Sequence, residues 1–193
     1  MPFLSPRLPG EVVFEGLDLL DKPLVLAVNH DKSRERTGLT TAVLMQCFGY
    51  KHVKTGREIW VPSRYVTDFA SIPALARGLI PSYGRHAIAA VLHDWLYSIG
   101  EPGQREAADT VFNDALKDLE VDDLKRGVMH RSVRIGGAGG YNRAAQDWPK
   151  RTFMDWITGE WLDAPWPREA FYGQGDPAVL QQIKSRPPEN CSP

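Results

Sequence analysis

The chain has 193 residues with 24 acidic and 23 basic side chains, which leave a formal net charge of -1 at pH 7. This length fits one ordinary domain, and the balanced charge predicts no nucleic-acid partner. Its only cysteines, Cys47 and Cys191, are a poor basis for a disulfide framework and indicate a reducing cytoplasm. The N-terminus lacks a secretory signal, and no apolar run is long enough for a transmembrane segment.

The first third of the chain favours strands. Residues 12–14, 24–28 and 59–61 are short β-branched or aromatic runs separated by polar turns, which predicts a small antiparallel sheet. The apolar stretch 39–48 fits either a buried strand or a short helix. Prolines at 62, 73 and 81 then indicate an irregular loop that contains residues 67–73.

After Gly84 the apolar residues recur with a helical period. A first helix carries His86, His93 and Tyr97 on one arc, and Gly100 with the residues after it ends this helix. A second helix follows with Asp109 at the margin of its buried stripe. Because the connection is short, we expect these two helices to be antiparallel neighbours.

Residues 122–134 predict a third helix, which the glycines of segment 136–140 are expected to break before another helical piece at 142–148. The glycine run lacks the lysine and hydroxyl ending of a phosphate loop, so a turn or close-packing role is favoured. Basic residues outnumber acidic ones over 122–151. A solvated face explains this excess more simply than a phosphate or lipid-headgroup surface.

Beyond Trp148 the chain becomes rich in aromatic residues, prolines and glycines, with Trp156, Trp161, Trp166 and Phe171 among them. So many aromatic rings left in water would form a sticky patch, so this segment is expected to wrap over its own domain or a partner. The predicted fold is α+β: a small N-terminal antiparallel sheet packed on a helical layer. The predicted division is a single domain over 1–151 and an extended tail over 152–193.

The helix pair brings together residues that can perform chemistry. In the functional interpretation His93 takes a proton from water, Asp109 holds the opposite ring nitrogen and Tyr97 supports that carboxylate. Asp94 binds a divalent cation that polarises a carbonyl or phosphoryl oxygen. In the structural interpretation His93 and Tyr97 are partly exposed polar residues, Asp94 is solvated, and Asp109 favours the positive end of the second helix.

Three other residues are weaker candidates. Asp68 either binds a metal or fixes a turn through nearby backbone amides, and the turn role is favoured. Ser71 lies in no Gly-x-Ser-x-Gly turn, which argues against a serine nucleophile. His86 is either a second metal ligand or an exposed histidine at a helix start, and the exposed histidine is favoured.

Separated motifs along the chain form a series: Val61-Pro62, Thr67-Asp68-Phe69-Ala70-Ser71-Ile72-Pro73, His93-Asp94-x-Leu96-Tyr97 and Ala108-Asp109-x-x-Phe112. This series resembles the bacteriophage and prophage family known as domain of unknown function 1353, over about residues 20–135. The resemblance implies a phage or prophage origin and carries no established activity.

The same helix pair, over about residues 84–119, is similar to phospholipases A2, especially those of parvovirus capsids. In those enzymes the histidine activates water, the next aspartate helps to bind calcium and the later aspartate orients the histidine. The resemblance implies these roles for His93, Asp94 and Asp109, with Tyr97 as support and Ca²⁺ as the cofactor.

The leading hypothesis is therefore a phage-encoded ester hydrolase, acting on a phospholipid or another ester. The alternative is a non-enzymatic virion protein of the tail, baseplate or neck, in which the His-Asp network only ties helices together. Its aromatic tail would then dock on other phage structural proteins. A metallophosphohydrolase is a third hypothesis that the spacing of His86 and His93 fits poorly. We expect the protein in the host cytoplasm, with incorporation into the virion under the alternative.

Overall fold

The computed structural model describes residues 3–4, 24–29, 41–69 and 84–185 of the chain. Short strands precede the helices in these ranges: β1 Phe3–Leu4, β2 Leu26–Asn29, β3 Thr41–Leu44, β4 Phe48–Lys51, β5 Glu58–Val61 and β6 Val66–Thr67. Three long helices follow: α1 His86–Ile99, α2 Arg105–Asp118 and α3 Asp123–Arg151. The chain continues with β7 Phe153–Met154, β8 Trp161–Leu162, a 3-10 helix Arg168–Phe171 and α4 Pro177–Ser185. The α+β class predicted from the sequence is confirmed.

The strands of the first part pair into small antiparallel sheets, in the orders β1-β4-β5 and β2-β3-β6. The ambiguous stretch 39–48 contains β3 and the first residue of β4. Met45 and its neighbours turn the chain between these two buried strands. The strand predicted at 12–14 lies outside the described residues. In the second sheet Ala42 of β3 pairs with Thr67 of β6, which carries the chain from the sheet to the vicinity of α1.

Helices α1 and α2 are antiparallel, as predicted. Arg85, just before α1, forms a 2.9 Å ion pair with Glu120, just after α2, while the other ends of the two helices are joined by a short loop. Gly100 ends α1 with a left-handed backbone (φ 55°), and its N–H donates to the carbonyl of Leu96. Within the described ranges, no helix combines the length and the apolar character needed to cross a bilayer.

The predicted break in the third helix is wrong. Helix α3 runs without interruption for 29 residues, through the glycines of segment 136–140 and past Pro149. Asp122 caps its start by accepting hydrogen bonds from the backbone N–H groups of Leu124 and Lys125. Glycine only weakens a helix, and packing of α3 on α1 and α2 outweighs that local cost.

The aromatic tail packs on its own domain. The ring of Phe171 lies 4.9 Å from that of Trp95 in α1, and Phe153 lies 6.0 Å from Trp148 at the end of α3. The Trp148 indole N–H donates to the backbone carbonyl of Trp166 at 3.0 Å. Residues on both sides of position 151 therefore share one hydrophobic core.

Candidate functional site

The predicted network of His93, Asp109 and Tyr97 is present as a set of direct contacts. His93 Nε2 lies 3.0 Å from Asp109 Oδ1, and the Tyr97 hydroxyl donates to the same oxygen at 2.7 Å. His93 is 2% exposed, Asp109 0% and Tyr97 8%. All three residues are thus buried, and the partial exposure of His93 and Tyr97 in the structural interpretation is wrong.

Helical spacing explains how the sequence builds this arrangement. His93 and Tyr97 are one turn apart on α1 and face the same way. The ring centroids of His93 and Tyr97 are 4.1 Å apart. The ring of Phe112 in α2 also contacts His93, with the two centroids 4.7 Å apart. Phe112 is close to Asp109 on α2, so one helix supplies both the carboxylate and an apolar contact for the imidazole. These packed rings restrict the orientation of His93.

Arg105 is a member of the network that the sequence did not reveal. Its guanidinium lies 3.4 Å from Asp109 Oδ2 and also donates to the backbone carbonyl of Arg134 in α3 at 3.3 Å. An i, i+4 pair of Arg and Asp on a helix is common on protein surfaces, so spacing alone does not identify it. Through Arg105 the third helix is tied to the carboxylate.

Asp109 is held in its ionised form. Burial raises the pKa of this carboxyl group, but hydrogen bonds from His93 and Tyr97, with the charge of Arg105, outweigh burial and lower the pKa below its usual value. An ionised carboxylate can only accept hydrogen bonds, so the nitrogen that faces Asp109 must carry a proton. A neutral His93 ring therefore has its proton on Nε2. The tautomer in which Nδ1 is the basic nitrogen is thereby favoured.

Asp94 lies on α1 beside His93 and is 6% exposed. Its Oδ2 accepts a 2.6 Å hydrogen bond from the hydroxyl of Thr67, whose oxygen also accepts the backbone N–H of Phe69 at 3.2 Å. Phe69 has a left-handed backbone (φ 51°), so the turn after β6 is tightly defined. Asp68 is the next residue after Thr67 in the same turn, and it is 3% exposed.

The other sequence candidates lie in different settings. His86 does begin α1, but it is 7% exposed, so the prediction of an exposed histidine is wrong. The first residues of α1 pack inward with Ala87 and the rest of that helix, which has buried side chains on every face. Ser71 lies outside the described residues. Among the described residues, no group of three or more His, Cys, Asp or Glu side chains is arranged to hold a metal ion.

A second buried histidine and aspartate pair lies elsewhere on α2. His52 Nε2 is 2.9 Å from Asp114 Oδ2, its Nδ1 is 2.8 Å from the Thr55 hydroxyl, and Lys54 donates to Asp114 Oδ1 at 2.7 Å. This pair fastens the turn between β4 and β5 to α2. Its partners are 62 residues apart, and no local pattern in the sequence could have joined them.

The site lies within a segment that is similar to a protein family. Residues 42–133 match the family described as Protein of unknown function (DUF1353). This segment contains His93, Asp109, Tyr97, Asp94 and Asp68, so the family resemblance seen in the motifs is confirmed for the part of the chain that carries the site. No match was found among curated proteins or among solved structures.

Proposed function

We propose that the chain is a phage-encoded hydrolase that cleaves an ester with water activated by His93. The observation that carries this proposal is the shared contact of His93 and Tyr97 with one oxygen of buried Asp109. A base needs a fixed tautomer and a partner that stabilises its protonated form, and an ionised carboxylate on one ring nitrogen provides both.

In the proposed reaction His93 takes a proton from water while the water oxygen attacks the ester carbonyl carbon. Asp109 stabilises the imidazolium that forms, and His93 then returns the proton to the departing alkoxide as the ester C–O bond breaks. Tyr97 and Arg105 hold the carboxylate by its two oxygens, which keeps it aligned with the ring. The products are a carboxylic acid and an alcohol.

Asp94 is the proposed ligand of a divalent cation, with Asp68 as a second carboxylate. Carboxylate oxygens suit Ca²⁺, which takes about six to eight oxygen ligands, so backbone carbonyls and water would complete the set. When bound, the cation would polarise the ester carbonyl. Calorimetric titration with Ca²⁺ tests this ligand. Binding is expected for the wild type and for Asp123→Asn, whose side chain is 91% exposed, but not for Asp94→Asn.

The order of functional residues along α1 and α2 supports a phospholipase-A2-like reaction on a phospholipid or related ester. The motif resemblance to a phage family supports the phage origin. These two resemblances define the substrates to test first, namely phospholipid vesicles and soluble carboxylic esters, with and without added calcium.

The decisive comparison is His93→Gln against His52→Gln. Glutamine keeps an N–H donor for the aspartate but has no basic nitrogen, and both histidines are buried beside an aspartate of α2. Loss of a general base lowers the rate about 10²- to 10⁴-fold. We expect that loss for His93→Gln and a nearly unchanged rate for His52→Gln, with both variants checked by circular dichroism. Equal rates for wild type and His93→Gln on every ester would reject the hydrolase.

A virion or assembly protein is the second candidate, favoured by the near-complete burial of His93 and Asp109. Such burial fits a network that only holds three helices together. The tail offers Ile157, 75% exposed, as a docking residue, and Val53 is 75% exposed in the turn between β4 and β5. Under this candidate Ile157→Asp prevents incorporation into phage particles, whereas Val53→Asp does not. Incorporation of both variants at the wild-type level counts against it.

A further inference from the structure

We propose that Gly137 of α3 is a positioning residue for the candidate site. Its missing side chain provides the space that the Tyr97 hydroxyl occupies when it donates to Asp109. The catalytic meaning of this role rests on the proposed hydrolase, but the positioning itself does not.

The glycines of segment 136–140 differ in what surrounds them. A Cβ atom placed on Gly137 would overlap the Tyr97 hydroxyl oxygen and lie 3.1 Å from Cζ and 3.2 Å from Cε1 of the same ring. A Cβ on Gly136 or Gly139 meets nothing within 4 Å, and one on Gly140 lies 3.9 Å from the Tyr97 ring. Gly137 is thus the position in this run where alanine is incompatible with the present place of Tyr97.

Tyr97 cannot move aside without disturbing the site. Its ring is 4.1 Å from the His93 ring and 5.0 Å from that of Tyr141, which it meets edge to face. Tyr141 is itself fixed, because its hydroxyl donates to the backbone carbonyl of Glu101. A methyl group at position 137 would therefore drive the Tyr97 hydroxyl away from Asp109 instead of into free space.

The effect would reach His93 through the carboxylate. Asp109 Oδ1 accepts hydrogen bonds from His93 Nε2 and from the Tyr97 hydroxyl. Its other oxygen, Oδ2, accepts one from Arg105, which also donates to the backbone carbonyl of Arg134 in α3. Without the Tyr97 hydroxyl, the carboxylate loses one of the contacts that fix its plane. The alignment of Oδ1 with His93 Nε2, and with it the preference for the Nε2–H tautomer, would weaken.

The test compares Gly137→Ala with Gly136→Ala, which makes the same chemical change one residue away in open space. The readouts are the ¹⁵N chemical shifts of the His93 ring nitrogens, which report the tautomer, and the melting temperature. For Gly137→Ala we expect a loss of the Nε2–H signature and a fall in melting temperature of roughly 4 to 10 °C. For Gly136→Ala we expect wild-type shifts and no fall in melting temperature.

The double variant Gly137→Ala/Tyr97→Phe provides a rescue, because it removes the oxygen that the new methyl group would overlap. Its melting temperature is expected to recover to that of Tyr97→Phe, even if Gly137→Ala alone does not fold, while the His93 shifts stay altered as in Tyr97→Phe. Wild-type His93 shifts in Gly137→Ala, or no recovery in the double variant, would overturn the proposal. These readouts use no ester, so absence of hydrolysis would reject the proposed function without affecting this result.

Discussion

At the scale of single residues, the ionised state of Asp109 links the site to the stability of the fold. Burial opposes its charge, but contacts with His93, Tyr97 and Arg105 lower the pKa in the folded protein. In an unfolded chain the pKa of an aspartate is about 3.9. The folded-state pKa is the lower one, so Asp109 contributes stability above the unfolded value, and this contribution is lost as the pH falls through the folded value.

Substitution of Asp109 by Asn therefore predicts a change in the pH dependence of unfolding. The free energy of unfolding, measured in urea from pH 7 down to pH 3, should fall less steeply below about pH 4 than in the wild type, where one such group contributes up to ~1.4 kcal/mol per pH unit. Val111→Ala, a buried change on the same helix, is the control. It should lower stability at every pH and keep the wild-type slope. Parallel curves for Asp109→Asn and the wild type would contradict the assignment.

At the scale of elements, α1 and α2 were predictable because their apolar residues follow a helical period and a glycine ends the first of them. The network of His93, Tyr97 and Asp109 was also predictable, since spacing of one turn and a short connection bring these groups together. Arg105 and the pair of His52 and Asp114 were not, because their contacts depend on tertiary packing.

The third helix shows where local propensity fails. Glycines predicted a break in α3, yet the helix continues because its inner face packs on α1 and α2. The helix propensity of single residues does not include such tertiary packing.

Alanine at Gly139 should stabilise the protein by ~0.5–1 kcal/mol, because a Cβ there meets open space and alanine loses less conformational entropy in a helix. Alanine at Gly103 should instead destabilise it by a similar amount, since its backbone is left-handed (φ 75°). Chemical denaturation of both variants measures the difference. No gain from Gly139→Ala would indicate that this stretch is not helical.

At the scale of the whole molecule, the aromatic tail shares one core with helices α1 and α2. Phe171 packs against Trp95, Trp148 and Trp166, with ring centroids 4.9, 5.7 and 6.1 Å away. Trp95 lies on α1 two residues after His93, so loss of the tail would also disturb the site. Deletion of residues 152–193 therefore cannot distinguish a docking tail from a structural one, whereas exposed positions such as Ile157 can.

This shared core predicts that the tail and the helix pair unfold together. Phe171 is 4% exposed, so its change to alanine removes a large buried ring and should lower the free energy of unfolding by ~3–5 kcal/mol. Ile157→Ala, at a position 75% exposed, should change stability by less than ~0.5 kcal/mol. If the core is common, Phe171→Ala lowers the denaturation midpoint equally for tryptophan fluorescence and for hydrogen exchange of α1 amides. A midpoint lowered for fluorescence alone, with α1 still protected, would show instead that the tail unfolds independently of the domain that carries His93.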